Sequence, residues 1–250
     1  MAEQCILEID AGNTSFKWRV VQGDQLLNSG RGLLADCVAE FSFLDTYTAS
    51  IGAVYVASVA GKSFDLELVN ALETSGINSI HFAKVEPEVN GVHCGYQTIG
   101  DLGVDRWMAV LAASNEFSAP LVIVDAGSAI TIDVIDADKK HIGGYIFPGW
   151  GLLRGALIDG TAITKTLIPD NYQADFISTG ATTLDAIGMG RLLVCAAAIN
   201  QVCENFLIGK SFEAKLVCTG GDSPTIMPHL RFQAEYRPNL VLDGLRVALG

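Results

Sequence analysis

Apolar and polar positions alternate along residues 4–10, QCILEID, and again along 15–21, where Phe16, Trp18 and Val20 share one face. Such period-two alternation predicts half-buried strands. A third short strand over 25–30 follows a turn at Gly23-Asp24, so the chain opens with a β-meander. Residues 34–45 predict a helix. AVYVAS at 53–58 has the composition of a buried strand. Phe64, Leu66, Leu68, Val69 and Leu72 recur at helical spacing before Gly76, which predicts a helix over 63–74. SIHFA at 79–83 predicts another strand. Residues 84–103 carry Pro87, Gly91, Gly95, Gly100 and Gly103 and predict a loop.

A helix is predicted at about 104–117, and Pro120 separates it from a second run of strands at 121–125, 129–136 and 140–146. Residues 148–160 predict a helix opened by glycine. The helix predicted over 182–207 is apolar nearly all round, so it buries itself either in a core or in an interface between two copies of the chain. KLVCTGGD at 215–222 predicts a strand ending in a glycine turn, then a short helix. The opening unit recurs at an offset of 115 residues: Ile9-Asp10-Ala11-Gly12 matches Val124-Asp125-Ala126-Gly127, and alternating strands follow both. This is a duplicated α/β half-domain, with the boundary expected near 116–120: one half over 1–118 and the other over 119–250.

Composition narrows the function classes. The 250 residues are half hydrophobic and carry a formal net charge of −12. A binder of nucleic acid or of anionic membranes needs a basic face, so neither class is expected. A small anionic ligand needs only a local cluster of donors. The six cysteines form no CxxC pair, and the four histidines have no metal-ligand spacing. No basic stretch precedes the first apolar run, and no window reaches the roughly 18 uninterrupted apolar residues of a membrane span. The expectation is a cytoplasmic protein with reduced thiols.

Chemistry concentrates in the two Asp-Gly turns. Glycine permits positive φ and clears space for a ligand, and turn amides can cradle phosphate. Asn13, Thr14 and Ser128 add short polar groups, and Lys17 and Arg19 could add positive charge. Asp10 and Asp125 end buried strands where a hard cation could reach them. A lone Asp-Ala-Gly is also an ordinary hairpin turn; its duplication in the same context favours a pair of phosphate turns gripping a nucleoside triphosphate. Asp105, in GVDRW, reads on spacing alone as a helix cap, with a general base beside Arg106 as the competing role. CTGGDS at 218–223 is either the start of a helix or a backbone approach to a nucleoside. There is no GxxxxGK[ST] element, so phosphate binding would fall to the paired turns.

Taken in order, DAGNTSFK (10–17), GVDR (103–106), DAGSAIT (125–131), GGYIFPG (143–149), TTLDAI (182–187) and TGG (219–221) resemble the type III pantothenate kinase family, over nearly the whole chain. That family belongs to the acetate kinase, sugar kinase, Hsp70 and actin superfamily. The resemblance implies two duplicated ribonuclease H-like (actin-like ATPase) halves with mixed sheets flanked by helices. It implies ATP-dependent phosphorylation of pantothenate to 4′-phosphopantothenate, the first step toward coenzyme A. It makes Asp10, Ala11, Gly12, Asn13, Thr14, Ser15, Phe16 and Lys17 the first phosphate loop, with Asp10 near Mg²⁺ (or another divalent cation) through water. It makes Asp105 the proton acceptor, and Tyr96, Gly103, Val104 and Arg106 acceptor-side contacts. Ser128 stands by ATP where the family generally has threonine. Asp125 resembles the ligand of a monovalent cation, K⁺ or NH₄⁺, and Thr183 a residue reaching pantothenate from the other subunit of a homodimer. The loop YQTIGDLGVDR departs from the family in lacking an Asn-Pro between the tyrosine and GxDR.

Two other functions compete. One is a kinase for another small molecule, or a phosphatase, on the same fold. The other is an accessory protein that senses a nucleotide without turnover. Asp105 favours turnover.

Overall fold

The alternation along the first residues is realised as a hairpin: β1 (Cys5–Ala11) pairs antiparallel with β2 (Ser15–Gln22), which pairs with β3 (Gln25–Leu33). The computed structural model describes residues 4–37, 47, 50–118, 120–162, 178–208 and 214–250. A single 3-10 turn occupies Leu34–Asp36, and residues 38–45 of the helix predicted over 34–45 lie outside the described residues. β4 (Ile51–Ser58) adds parallel to β1, and β5 (Ile80–Phe82) adds parallel to β4. The sheet order is β3-β2-β1-β4-β5.

Each face of this sheet has its own partner. Leu7, Ile9, Phe16, Trp18, Val54 and Val56 form a core with Leu68 and Leu72 of α1 (Lys62–Thr74). The alternate residues of β1 and β2 point the other way, so Glu8 and Arg19 are cross-strand neighbours. Glu8 is fully buried there, held by Arg19 and by Arg246, whose Nε lies 2.9 Å away. Arg246 sits on α6 (Leu240–Leu249), where Asp243 accepts from Arg19 Nη1 at 2.6 Å. α6 also meets α2 (Val104–Glu116): a side chain on Gly244 would strike the Met108 carbonyl at 2.0 Å.

The two-residue strands β6 (Glu88–Val89) and β7 (Val92–His93) flank a turn at Asn90-Gly91, both at positive φ. A 3-10 turn follows at Ile99–Asp101.

The second sheet repeats the first. β8 (Leu121–Ala126), β9 (Ala129–Ile135) and β10 (His141–Pro148) form the meander, and β11 (Lys215–Thr219) and β12 (Ala234–Tyr236) add in parallel. The order β10-β9-β8-β11-β12 is the same topology. α4 (Thr183–Phe206) supplies Cys195, Ile199, Val202 and Cys203 to the core over Val122, Val124, Ile130 and Ile132. It is long and apolar enough to cross a membrane, yet half of its most apolar stretch is buried in the fold. α3 (Trp150–Gly160) follows β10, and the short α5 (Ser223–Ile226) follows β11.

The chain divides into two compact units, residues 1–90, 97–112 and 239–250 in one, and 91–96 and 113–238 in the other. The sequence expects a division near 116–120. The structure instead returns α6 to the first sheet, because α6 carries the arginine that answers Glu8, and it packs the 91–96 loop with the second sheet. β12 and α6 are not among the elements predicted from sequence.

Candidate active site

In the first unit, the parallel strands β1, β4 and β5 end on one edge, the edge where α/β sheets bind ligands. Asp10 lies at the end of β1, opposite Lys17 on β2, which in turn faces Arg31 on β3. Directly paired residues share a face, so one carboxylate and two cations form a row beside the turn. The turn is closed by Gly12 N–H donating to Ser15 O at 3.0 Å. Asn13, Thr14 and Ser15 are exposed, Asp10, Gly12 and Lys17 half-buried, and Ala11 and Phe16 buried. Phe16 therefore anchors the loop through the core, and the exposed residues are those free of that role. Arg19 does not add charge to this turn. It is committed to Glu8 and Asp243; burial opposes its charge, and those carboxylates outweigh the burial and raise its pKa.

Asp105 occupies the first turn of α2 and is half-buried. Its Oδ1 accepts from Arg106 N–H at 2.8 Å. A methyl on Gly103 would come within 2.5 Å of that oxygen, so glycine leaves room for the carboxylate to fold back. Arg106 is buried, and Val104 is half-buried. A cavity of about 450 Å³ opens beside this turn, lined by Ser58, Ala83, Lys84 and the Gly100–Val104 segment. Its walls are the ends of β4 and β5 and the start of α2.

In the second unit, three glycine motifs far apart in sequence meet. Asp125 ends β8, with Thr131 across the hairpin and Thr219 beside it on β11. The hairpin is one residue shorter than the first, with Gly127 and Ser128 alone between the strands. Gly149 donates its N–H to Ser128 O at 3.0 Å, and any side chain there would collide with the Gly127 carbonyl at 2.2 Å. Gly220, at φ +90°, leans against Ala126, and Asp222 N–H donates to Ala126 O at 2.9 Å. Ser128 is exposed on this turn.

Arg191 underlies the same region. It is buried, its guanidinium stacks 3.8 Å from the Trp150 ring, and its Nε and Nη2 donate to Trp150 O at 3.1 and 2.6 Å. It thereby ties α4 to the start of α3. Burial raises the pKa of the Asp222 carboxyl, and Arg191 partly offsets that. Arg191 has no role in the sequence motifs, and Gly149 none beyond its place in GGYIFPG; an arginine inside the apolar run of α4 was the available signal. Thr183 is exposed as the first residue of α4. Thr182 precedes it as the N-cap, accepting from Asp185 N–H at 3.1 Å and donating to Asp185 Oδ2 at 2.7 Å. Tyr96 is half-buried and stacks on His141.

Among the described residues, no group of three or more His, Cys, Asp or Glu could by itself hold a metal ion. Single carboxylates beside the two Asp-Gly turns are oxygen donors of the type a hard cation accepts when other ligands complete its shell.

A family model described as Type III pantothenate kinase matches residues 6–205. The chain belongs to the type III pantothenate kinase family. Members named Type III pantothenate kinase include that of Thiobacillus denitrificans, 33% identical over 245 residues, covering 98% of this chain and 96% of that one. That of Nitrosococcus oceani is 34% identical over 259 residues, covering 97% and 93%. Among solved structures, a Baf family protein of Campylobacter jejuni superposes with a TM-score of 0.61 at 22% identity, covering 96% of this chain and 95% of that one. The activator of 2-hydroxyisocaproyl-CoA dehydratase from Clostridium difficile, solved with bound ADPNP, gives 0.54 at 10% identity, with coverage of 98% and 93%. At such identities these structures speak to fold alone: two α/β halves, each with a mixed sheet flanked by helices. Both Asp-Gly turns and the GVDR segment lie inside the region matched to the type III pantothenate kinases.

Proposed function

We propose that the chain transfers the γ-phosphoryl group of ATP to the primary hydroxyl of pantothenate, yielding 4′-phosphopantothenate and ADP, the first step toward coenzyme A. The observation that carries this is the family match running through both Asp-Gly turns and the Asp105 turn. The hydroxyl oxygen attacks the γ-phosphorus, its proton passes to the Asp105 carboxylate, and the bond to the ADP oxygen breaks. Asp105 suits the role because it is half-buried at a helix start beside a cavity of a size suited to a small acceptor. Gly103, Val104, Arg106 and Tyr96 are the acceptor-side residues.

The amides and side chains of residues 10–17 and of Ser128 receive the ATP phosphates, with Lys17 offsetting their charge. A kinase of this family uses ATP with a divalent cation; here Mg²⁺, with Asp10 reaching it through water, would neutralise phosphate charge. Asp125 would hold K⁺ or NH₄⁺ through its carboxylate. These oxygen donors are of the type both ions accept.

A homodimer completes the reading. Leu193 and Val194 of α4 and Tyr145 and Ile146 of β10 are exposed apolar residues, about half or more accessible. Their burial between copies would bring Thr183 of one subunit toward the acceptor of the other. Sedimentation of a fully active monomer would contradict this. The cytoplasm is the proposed location.

A coupled ADP-release assay tests the assignment. Turnover should require pantothenate, should not be supported by a panel of sugars, and should rise with potassium. Release that depends on a sugar instead would replace the acceptor.

A further inference from the structure

His141 and Asp133 form a buried polar pair that the proposed chemistry does not use. His141 is fully buried and Asp133 nearly so, and His141 Nε2 lies 2.8 Å from Asp133 Oδ1. The carboxylate accepts, so Nε2 carries the hydrogen and the ring orientation is set. Among the described residues His141 Nδ1 has no hydrogen-bond partner, which leaves a costly buried polar atom in place. On the face of this imidazole lies Tyr96, centroid to centroid 5.7 Å with the planes 13° apart. That is an offset stack, in the range where aromatic rings attract.

The backbone is fitted to the same contact. Gly95 lies so close to His141 that a methyl group on it would stand 1.6 Å from the His141 carbonyl oxygen. Two residues earlier, His93 forms a β-bridge with Lys140, its N–H donating to Lys139 O at 3.1 Å. The loop that ends in Tyr96 is thus fastened to the β9–β10 hairpin on both sides of Gly95. A plain core contact would not need a buried hydrogen-bonded polar dyad beneath the ring; an apolar side chain would stack as well without an unsatisfied nitrogen.

We propose that Asp133 and His141 are positioning residues for Tyr96: the carboxylate orients the imidazole, and the imidazole holds the phenol ring at the angle at which it meets the acceptor. This rests on the reading of Tyr96 as an acceptor-side residue. His141 makes no contact with substrate in this scheme and acts only through Tyr96.

Steady-state kinetics with pantothenate and ATP varied separately test it. Tyr96→Ala should raise the pantothenate KM about tenfold while the ATP KM stays within about twofold. His141→Ala should do the same, and the double variant should be no worse than Tyr96→Ala alone, because both remove one interaction. Asp133→Asn, which keeps an acceptor for Nε2–H, should restore near-normal values where Asp133→Ala does not. Gly95→Ala displaces the loop without emptying the buried site and should reproduce the pantothenate effect if His141→Ala does not fold. Effects of Tyr96→Ala and His141→Ala that simply multiply, or a His141 or Gly95 variant whose pantothenate KM is unchanged, would overturn the positioning role. A Tyr96→Ala enzyme with an unchanged pantothenate KM would instead overturn the acceptor-side reading of Tyr96 and the proposal with it.

Discussion

Gly220 stands against the carbonyl of Ala126, where a methyl group would approach the oxygen to 2.3 Å, and it does so at φ +90°. Two motifs almost a hundred residues apart in the sequence are thereby locked into one turn cluster at the ends of β8 and β11. Gly220→Ala meets both obstacles at once, backbone strain and backbone collision. It should cost about 1–3 kcal/mol in denaturant unfolding and raise the ATP KM more than the pantothenate KM.

Glu8 is a fully buried charge on the opening strand. Its carboxylate is a structural group, joining β1 and β2 to the C-terminal helix through Arg19 and Arg246. Glu8→Gln removes a buried charge and leaves Arg19 and Arg246 undercompensated. We expect a loss of about 3 kcal/mol in urea unfolding. Arg246→Ala, at a more accessible site, should cost about 1 kcal/mol, and neither change should alter the substrate preference.

The buried thiols predict how stability varies with pH. Burial pushes Cys195 up to about 11, and Cys203 and Cys218 up to about 12, from an ordinary value of 9.0. Below pH 9 the thiols are neutral in both states and contribute nothing to the pH dependence. Above it the unfolded chain ionises first and holds fewer protons, so folding stability falls as pH rises from about 9 toward 11–12. Thermal unfolding between pH 7 and 10 should show that decline, and replacing the three cysteines with alanine should flatten it. In the native protein these thiols should react with a disulfide reagent more slowly than half-buried Cys94.

Asp125 should govern the response to potassium. If it holds the monovalent cation, removing potassium lowers wild-type turnover about tenfold or more, and Asp125→Ala is slow in its presence and its absence alike. An Asp125→Ala enzyme that is still stimulated by potassium would move the ion elsewhere.

Much of the fold was legible because its signals are local. Period-two alternation marks β1, β2 and β9, a continuous apolar run marks β8, and the repeated Asp-Ala-Gly marks the duplication that the matching sheet orders display. α6 and β12 escaped. β12 has three residues, too few for a period, and α6 starts at Leu240 after an Asn239 whose side chain makes no capping hydrogen bond. The site divides in the same way. Asp10, Asp105 and Asp125 stand in contiguous motifs. Gly149 and Arg191 act on residues distant in sequence, so their roles depend on packing that no short window contains. Arg19 misled for a related reason: two residues after Lys17 it shares that lysine's face, yet Glu8 and Asp243 claim it.

The central claim is that Asp105 accepts the pantothenate proton during phosphoryl transfer from ATP. The most direct test compares wild type and Asp105→Asn in pantothenate-dependent ADP release, with ATP binding measured on the same preparations. The account predicts a fall in kcat of about 10³-fold with the ATP dissociation constant unchanged within about twofold. Turnover by Asp105→Asn at the wild-type rate would contradict it.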